Sequence, residues 1–584
     1  MPRSIVKYFL MLCIVVAFGI LVLIFDRLIF AFSGLHNFGL ADESKAFYAS
    51  KNSEKNLSLI TTANLVGKVL PANSVRSERL KTKERRETNE LFLKNNGSAA
   101  ANKNLRQKLP EEKALENFQN DWCRMQRARL EWKDVLRPCW NSTVWGAPSR
   151  FGINQMSDPQ KSYISQWDIK PSGDFSRFFI QSVSVNNELK TIGGDSWRIH
   201  LHGPSSLAPT VIDLNNGSYE VLFLMLEEGE YEAKIFLDYS LCHGFKDPPP
   251  HWFRKGNPQG KNQPDGILKG DRPFLIALFR GKEKVTFTVP PSKKNQGHIE
   301  TLVKKVSTKD SSFRQFTCDS SCGTFLWDGF GRWVNGRWKP YIKDTIHKDR
   351  RNKEGMFFSF GDSISNAFMS SLTSGPYSGL CKVVFGSCQS VYHWVYDMQG
   401  YWGDGVKSPR EPVPDERDYD HERVISDVKK TLYNPAMTEK SVLLMNMGIH
   451  FAAAVNFTNY RRLIDDLIRL VTEGKGQPKL HNESTTSIFK GRFIWKTSTA
   501  LNRERFPNPH KDVRRFLTFQ RVLLYNAYAT SAMCRAGIDV IDVYPISDSY
   551  PAGTISLTDP VHYGGHVFRD VEALLYKVFS PQDS

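Results

Sequence analysis

Near its C-terminus the chain carries Asp559-Pro560-Val561-His562, a carboxylate and an imidazole three residues apart after a loop-like stretch. Far upstream lies Gly361-Asp362-Ser363, where an apolar run stops abruptly. A serine hydroxyl is a poor nucleophile until a base takes its proton, and a histidine oriented by a carboxylate is such a base. The order Ser363, Asp559, His562 is therefore compatible with a triad in which His562 deprotonates Ser363 and Asp559 orients the imidazole. His566 is a second candidate base, ranked lower because it falls on an expected helix start.

Between these stations "SVLLMNMGIHF" ends an apolar run with Asn446, Gly448 and His450. The Asn446 amide, with a backbone N–H near Gly448 or Ser363, is a candidate binder of a developing oxyanion. Each feature has a plainer reading: Ser363 as a helix cap, Asn446 as a turn residue, His450 as a core histidine, Asp559-Pro560 as a turn starter. The triad reading is preferred because three weak signals fall at three expected strand ends in a workable order.

The elements that must position these groups begin near Thr345. "MFFSF", "KVVFGSC", "SVLLMNMG", "GRFIWKTST" and "GIDVIDVYP" read as strands. Helical patterns separate several of them. "YRRLIDDLIRLVTEG" places Leu463, Ile464, Leu467, Ile468 and Val471 on one face. Strands alternating with helices predict a mainly parallel α/β sheet over 345–584, with Ser363 at a strand's C-terminal end and a helix N-terminus.

Residues 114–344 follow a different grammar. "DFSRFFIQSVSV", "GGDSWRIHLHG", "PTVIDLNNGSYEVLFLML" and "EEGEYEAKIFLDYS" are short, partly alternating runs. Asn215-Asn216-Gly217 and Glu228-Gly229-Glu230 read as connections between antiparallel strands, so a β-sandwich is expected. "GGDSW…DLNNGSYEVLF…EGEYEAKIFL" resembles the filamin-type immunoglobulin repeat of neurexophilin-like domains over roughly 120 residues.

The Ser363, Asn446 and Asp559/His562 stations together resemble the SGNH/GDSL hydrolases, and more closely the PC-esterase branch in the NXPE family of neurexophilin and PC-esterase domain proteins. "NMGIHF" is similar to that branch's Asn-X-Gly-X-His form. The resemblance implies a three-layer α/β/α fold, Ser363 as acyl acceptor, and Asp559 with His562 as the late Asp-X-X-His pair. It also implies an oxyanion-hole glycine in a second block, for which Gly386 in "VVFGSC" is the candidate.

The 584 residues exceed what one hydrophobic core organises. Arg3 and Lys7 precede an apolar run from Tyr8 to Phe25, so we expect a cytosolic tail over 1–7, a signal-anchor over 8–32 and a type II orientation. A cleaved signal peptide is the competing reading; the run exceeds the roughly 7–15 residues of a signal's apolar region. Residues 33–113, rich in Lys, Arg, Glu, Asn and Ser, read as a flexible stem. Sequons at Asn56, Asn96, Asn141, Asn216, Asn456 and Asn482 fit glycosylation in the secretory route. Outside the apolar run the cysteines are Cys123, Cys139, Cys242, Cys318, Cys322, Cys381, Cys388 and Cys534, an even set suited to disulfides. Their pairing is not legible. Cys318-X3-Cys322 has no second Cys/His pair, so no metal is expected. The net charge of +17 points to acidic glycans or anionic surfaces and, with no binding motif, not to nucleic acid.

These expectations converge on a Golgi-lumenal, membrane-anchored glycan O-acetyltransferase working through a serine acyl-enzyme, with sialylated or mucin-type acceptors suggested by the family. Acetyl-CoA in the lumen or a multi-span partner would supply acetyl. Two alternatives stand beside it: a carbohydrate acetylesterase using the same triad with water as acceptor, and a neurexophilin-like secreted or surface binding protein with an inactive SGNH scaffold.

Overall fold

The computed structural model describes residues 110–146, 153–249, 275–281, 283–294, 324–342, 353–393, 419–472, 489–502 and 515–580, with isolated positions between them. The expected tail, anchor and most of the stem lie outside these residues, as do Asn56, Asn96 and Asn482. Among the described residues no helix is long and apolar enough to cross a membrane.

The first element among the described residues, α1 (Pro110–Leu130), sets Phe118, Trp122 and Met125 on one stripe. That stripe packs on Phe175, Leu222 and Leu224 of the sandwich. One sandwich sheet runs β1 (Tyr163–Asp168), β2 (Phe175–Gln181), β5 (Ser218–Leu224), β4 (Thr210–Asp213), all antiparallel. The other centres on β3 (Trp197–His202) and β6 (Gly229–Leu237), with β7 (Val285–Val289) also paired to β6. Alternating residues such as Phe178, Ile180, Val221 and Phe223 meet Ile199, Leu201, Ile235 and Leu237 between the sheets.

Asn215-Asn216-Gly217 closes the β4–β5 hairpin, with Asn215 and Gly217 both at positive φ, which Asn and Gly tolerate best. Glu228-Gly229-Glu230 does not close a hairpin. β5 and β6 belong to different sheets, so that turn carries the chain across the sandwich.

The second layer system is a five-stranded, wholly parallel sheet in the order β9 (Ser387–Tyr392), β8 (Met356–Gly361), β10 (Val442–Met445), β11 (Arg492–Lys496), β12 (Asp539–Ile541). Its four strands other than the edge strand β9 are buried on both faces, as a parallel sheet between helices must be, while β9 is partly exposed along its length. Met356, Phe358 and Phe360 face one core with α3 (His421–Leu432), α5 (Phe457–Thr472) and α6 (Phe519–Arg535). Phe357 faces the other, with α2 (Ser363–Ser374) and α7 (Arg569–Phe579). On α5, the expected Leu463, Ile464, Leu467 and Val471 are buried and Ile468 is half-buried, with Leu470 joining the buried stripe.

The expected second strand is displaced. "KVV" belongs to a single-turn π-helix, Leu380–Val384, and β9 begins only at Ser387. The Cys381–Cys388 disulfide ties that turn to the strand.

Residues 106–584 form one compact unit. Arg129 pairs with Asp542 at 3.0 Å, Trp333 donates to the Ile546 carbonyl at 3.0 Å, and the Cys322–Cys534 disulfide joins sandwich segment to α6. Arg521, fully buried, reaches Asp247 at 2.6 Å, the carbonyls of Ala452, Val455 and Lys246, and the Tyr525 hydroxyl. With Cys123–Cys318 and Cys139–Cys242, four disulfides among the described residues fit a secreted or lumenal protein. Cys318 and Cys322 thus pair with different partners. Asn141 and Asn216 are exposed, whereas Asn456 is half-buried and caps the Asn459 N–H at 2.8 Å.

Candidate active site

In this strand order the chain leaves β8 to one side for β9 and returns to the other for β10. A crevice at the C-terminal ends of such strands is where α/β sheets place ligands. Gly361 ends β8 there, and the turn after it is tight. A Cβ on Gly361 would lie 2.4 Å from Ser365 Oγ and 2.9 Å from the Asn446 carbonyl. Asp362 then caps α2 by accepting the Ile364 N–H at 3.0 Å, leaving Ser363 as the first helical residue. The plainer reading of Ser363 as the helix cap therefore does not hold: Asp362 does that work, and the serine side chain is left for another partner.

That partner is His562. Its Nε2 lies 2.8 Å from Ser363 Oγ, and its Nδ1 lies 2.7 Å from Asp559 Oδ2. A carboxylate at Nδ1 holds the proton there, so Nε2 is the nitrogen free to accept the serine proton. The loop carrying the pair is pinned on both sides, with Val561 packed into one core and Tyr563 into the other. It is closed by the Ile555 N–H donating to the His562 carbonyl at 2.9 Å and anchored to the loop after β11 by Asn502 N–H on the Pro560 carbonyl at 2.8 Å. Burial pushes the Asp559 carboxyl up, yet the backbone N–H groups of Val561 and His562 and the imidazole more than offset this. Its pKa is held below the ordinary value, so the orienting group stays ionised at neutral pH.

The other expected residues separate. Asn446 follows β10, with its N–H on the Phe360 carbonyl at 3.0 Å, in the crevice but turned inward. Its amide donates to the Lys496 carbonyl at 2.8 Å and Ser498 Oγ at 3.3 Å. Both amide protons are thereby occupied, so the side chain serves the sheet end rather than an oxyanion. Gly448 begins α4 (Ile449–Ala454), where a Cβ would fall 1.5 Å from Ser498 Oγ; close packing requires the glycine. His450 is half-buried in the first turn of α4.

Gly386 does not serve the site. It precedes β9 rather than following a strand, donating its N–H to the Gly355 carbonyl at 2.9 Å beside the start of β8. Six residues of strand, about 17 Å, separate that end from Ser363. His566 is turned away as well, its Nε2 2.7 Å from the Tyr550 hydroxyl.

Two residues with no sequence signal join the crevice. Tyr392, at the end of β9, stands opposite Gly361 and so beside Ser363, whose hydroxyl acts on the phenol's titration. Lys496, at the end of β11, is fully buried, with the Thr497 carbonyl at 3.5 Å, and burial pulls its ammonium down to about 8 against the attraction of Asp362. The sign of its pH effect follows. Between about 8 and the ordinary 10.5 the unfolded chain binds more protons than the folded one, so this lysine's contribution to stability rises with pH across that window. At pH 7 the buried charge costs roughly 3 kcal/mol. Lys496→Met is expected to raise the thermal midpoint at pH 7, the gain shrinking toward pH 10; parallel melts at the two pH values check this, and an equal or opposite shift at both refutes it.

Among the described residues no cluster of His, Cys, Asp or Glu is arranged to hold a metal. No family model matches the chain. Among solved structures, the Lin-41 filamin domain aligns at 16% identity over 14% of this chain and 83% of that one, with a TM-score of 0.13. A provisionally assigned glycoside hydrolase from Bacteroides vulgatus aligns at 9% identity over 57% of this chain and 50% of that one, also with a TM-score of 0.13. The chain therefore spans half the length of the second structure, and neither alignment carries weight for fold or chemistry.

Proposed function

We propose that the chain is a serine-dependent acyltransferase of SGNH type that moves acetyl groups onto glycan hydroxyls in the secretory lumen. The observation that carries this reading is the continuous hydrogen-bonded line from Ser363 Oγ through His562 to Asp559, at 2.8 and 2.7 Å, in the crevice of a parallel sheet. The four disulfides suit the compartment, and the order of Ser363 and the late Asp-X-X-His pair supports membership of the PC-esterase branch and of the NXPE family as part of the same proposal.

Ser363 Oγ attacks the acetyl carbonyl carbon while His562 Nε2 takes the serine proton. The tetrahedral intermediate collapses, breaking the bond to the leaving group, which departs with the proton from Nε2. An acceptor hydroxyl then gives its proton to Nε2 as its oxygen attacks the acyl-serine, and the second collapse returns the proton to Ser363. Asp559 stays ionised throughout and stabilises the transient imidazolium.

The test is transfer itself. Full-length protein in detergent, given labelled acetyl-CoA and sialylated glycans, is expected to label the glycan; release of the label only as free acetate would replace the transferase with an esterase, and no turnover of any acetyl donor would remove the reading.

A further inference from the structure

Ser363 needs more than a base. Attack turns a carbonyl oxygen into an oxyanion, and donors aimed at that oxygen supply much of the catalysis in acyl transfer. Asn446, the residue expected to do this, has its amide engaged elsewhere.

The end of β9 offers a different donor. In the parallel register Tyr392 stands opposite Gly361, and the His393 N–H donates to the Gly361 carbonyl at 2.8 Å, which locks the last residue of β9 beside the turn that presents Ser363. Ser390 shows which face Tyr392 occupies. The Ser390 hydroxyl donates to Asn366 Oδ1 on α2 at 3.4 Å, and residues two apart on a strand share a face. Asn366 lies one helical turn beyond Ser363, so Tyr392, two residues further along β9, comes level with Ser363. Its phenol is near enough to the Ser363 hydroxyl to be influenced by it, while 37% of the residue remains exposed.

We infer that Tyr392 is a catalytic residue that donates its phenolic hydrogen bond to the oxyanion formed at Ser363, in the role expected of Asn446. This rests on Ser363 being the nucleophile. As Oγ bonds to the carbonyl carbon, its proton passes to His562 and the carbonyl π pair moves onto oxygen. The Tyr392 O–H donates to that oxygen. On collapse the pair reforms the carbonyl, the leaving group departs with the histidine's proton, and Tyr392 keeps its own proton throughout. Burial and the nearby Asp362 carboxylate push the phenol up to about 12, so it stays a donor across the physiological range. The Ser363 N–H, in the first turn of α2 where backbone donors have no intrahelical acceptor, is placed to be its companion.

The experiment compares full-length wild type and Tyr392→Phe with p-nitrophenyl acetate as probe. Phenylalanine keeps the ring and removes only the donor. The expected result is a fall in kcat of about 10²–10³-fold with KM little changed and an unchanged thermal midpoint. Equal kcat in the two proteins overturns the role of Tyr392 while leaving Ser363 as nucleophile, and so does a loss confined to KM. A wild type that neither hydrolyses the ester nor reacts with a fluorophosphonate overturns the nucleophile and, with it, this inference.

Discussion

Ser363→Ala is expected to abolish covalent labelling of the full-length protein by a fluorophosphonate and to lower acyl transfer by on the order of 10⁴–10⁶-fold, with His562→Ala close behind. The two losses should not add, because a base without its nucleophile and a nucleophile without its base both leave only the crevice's binding and electrostatics. Asp559→Asn should cost about 10⁴-fold, because an amide at Nδ1 no longer fixes the tautomer that leaves Nε2 free. Ser363 is half-buried, and its hydroxyl bonds the His562 ring rather than any group that holds the core together, so the alanine variant should melt with the wild type. Labelling that persists in Ser363→Ala would place the reactive group elsewhere.

The largest effect on stability should come from Arg521, far from that chemistry. Its guanidinium satisfies three carbonyls, a phenol and the Asp247 carboxylate in a site closed to water. Arg521→Leu strands all of them, and breaking a buried ion pair from one side costs about 3–5 kcal/mol. Adding Asp247→Asn should recover part of this, since an uncharged amide tolerates burial better and can still accept the Phe457 N–H now held by the aspartate at 3.1 Å. Chemical denaturation of the three proteins measures it. An Arg521→Leu midpoint equal to wild type would show that the cluster is solvated or rearranged.

Much of this arrangement is legible in the residues themselves. Helix and strand periods differ, so the α/β half announces itself. A serine, an aspartate and a histidine at strand ends suffice to name a triad, because strands of one parallel sheet deliver their C-terminal ends to one edge. The second strand is misplaced for a physical reason: Val383, Val384 and Phe385 have the β-branched and aromatic, apolar look of a strand, but the Cys381–Cys388 bond and the burial of Leu380 and Val384 favour a wound turn. That shift is why Gly386 moved to the wrong end of the sheet and Tyr392 went unnoticed. Asn446 was found in its place but not in its role, since nothing local says that the carbonyl of Lys496, fifty residues on, will claim the amide. The stations of a parallel sheet can be read from sequence more readily than the partners across it.

The Cys322–Cys534 bond has a consequence for how the molecule is made and cut. A ribosome delivers Cys322 more than two hundred residues before its partner, so the first half must wait with a reactive thiol exposed to oxidoreductases and to mispairing until α6 has emerged. In the finished protein the same bond means that a protease nick between the sandwich and β8 releases nothing. The two pieces stay together through boiling in detergent and part only when a reductant is added.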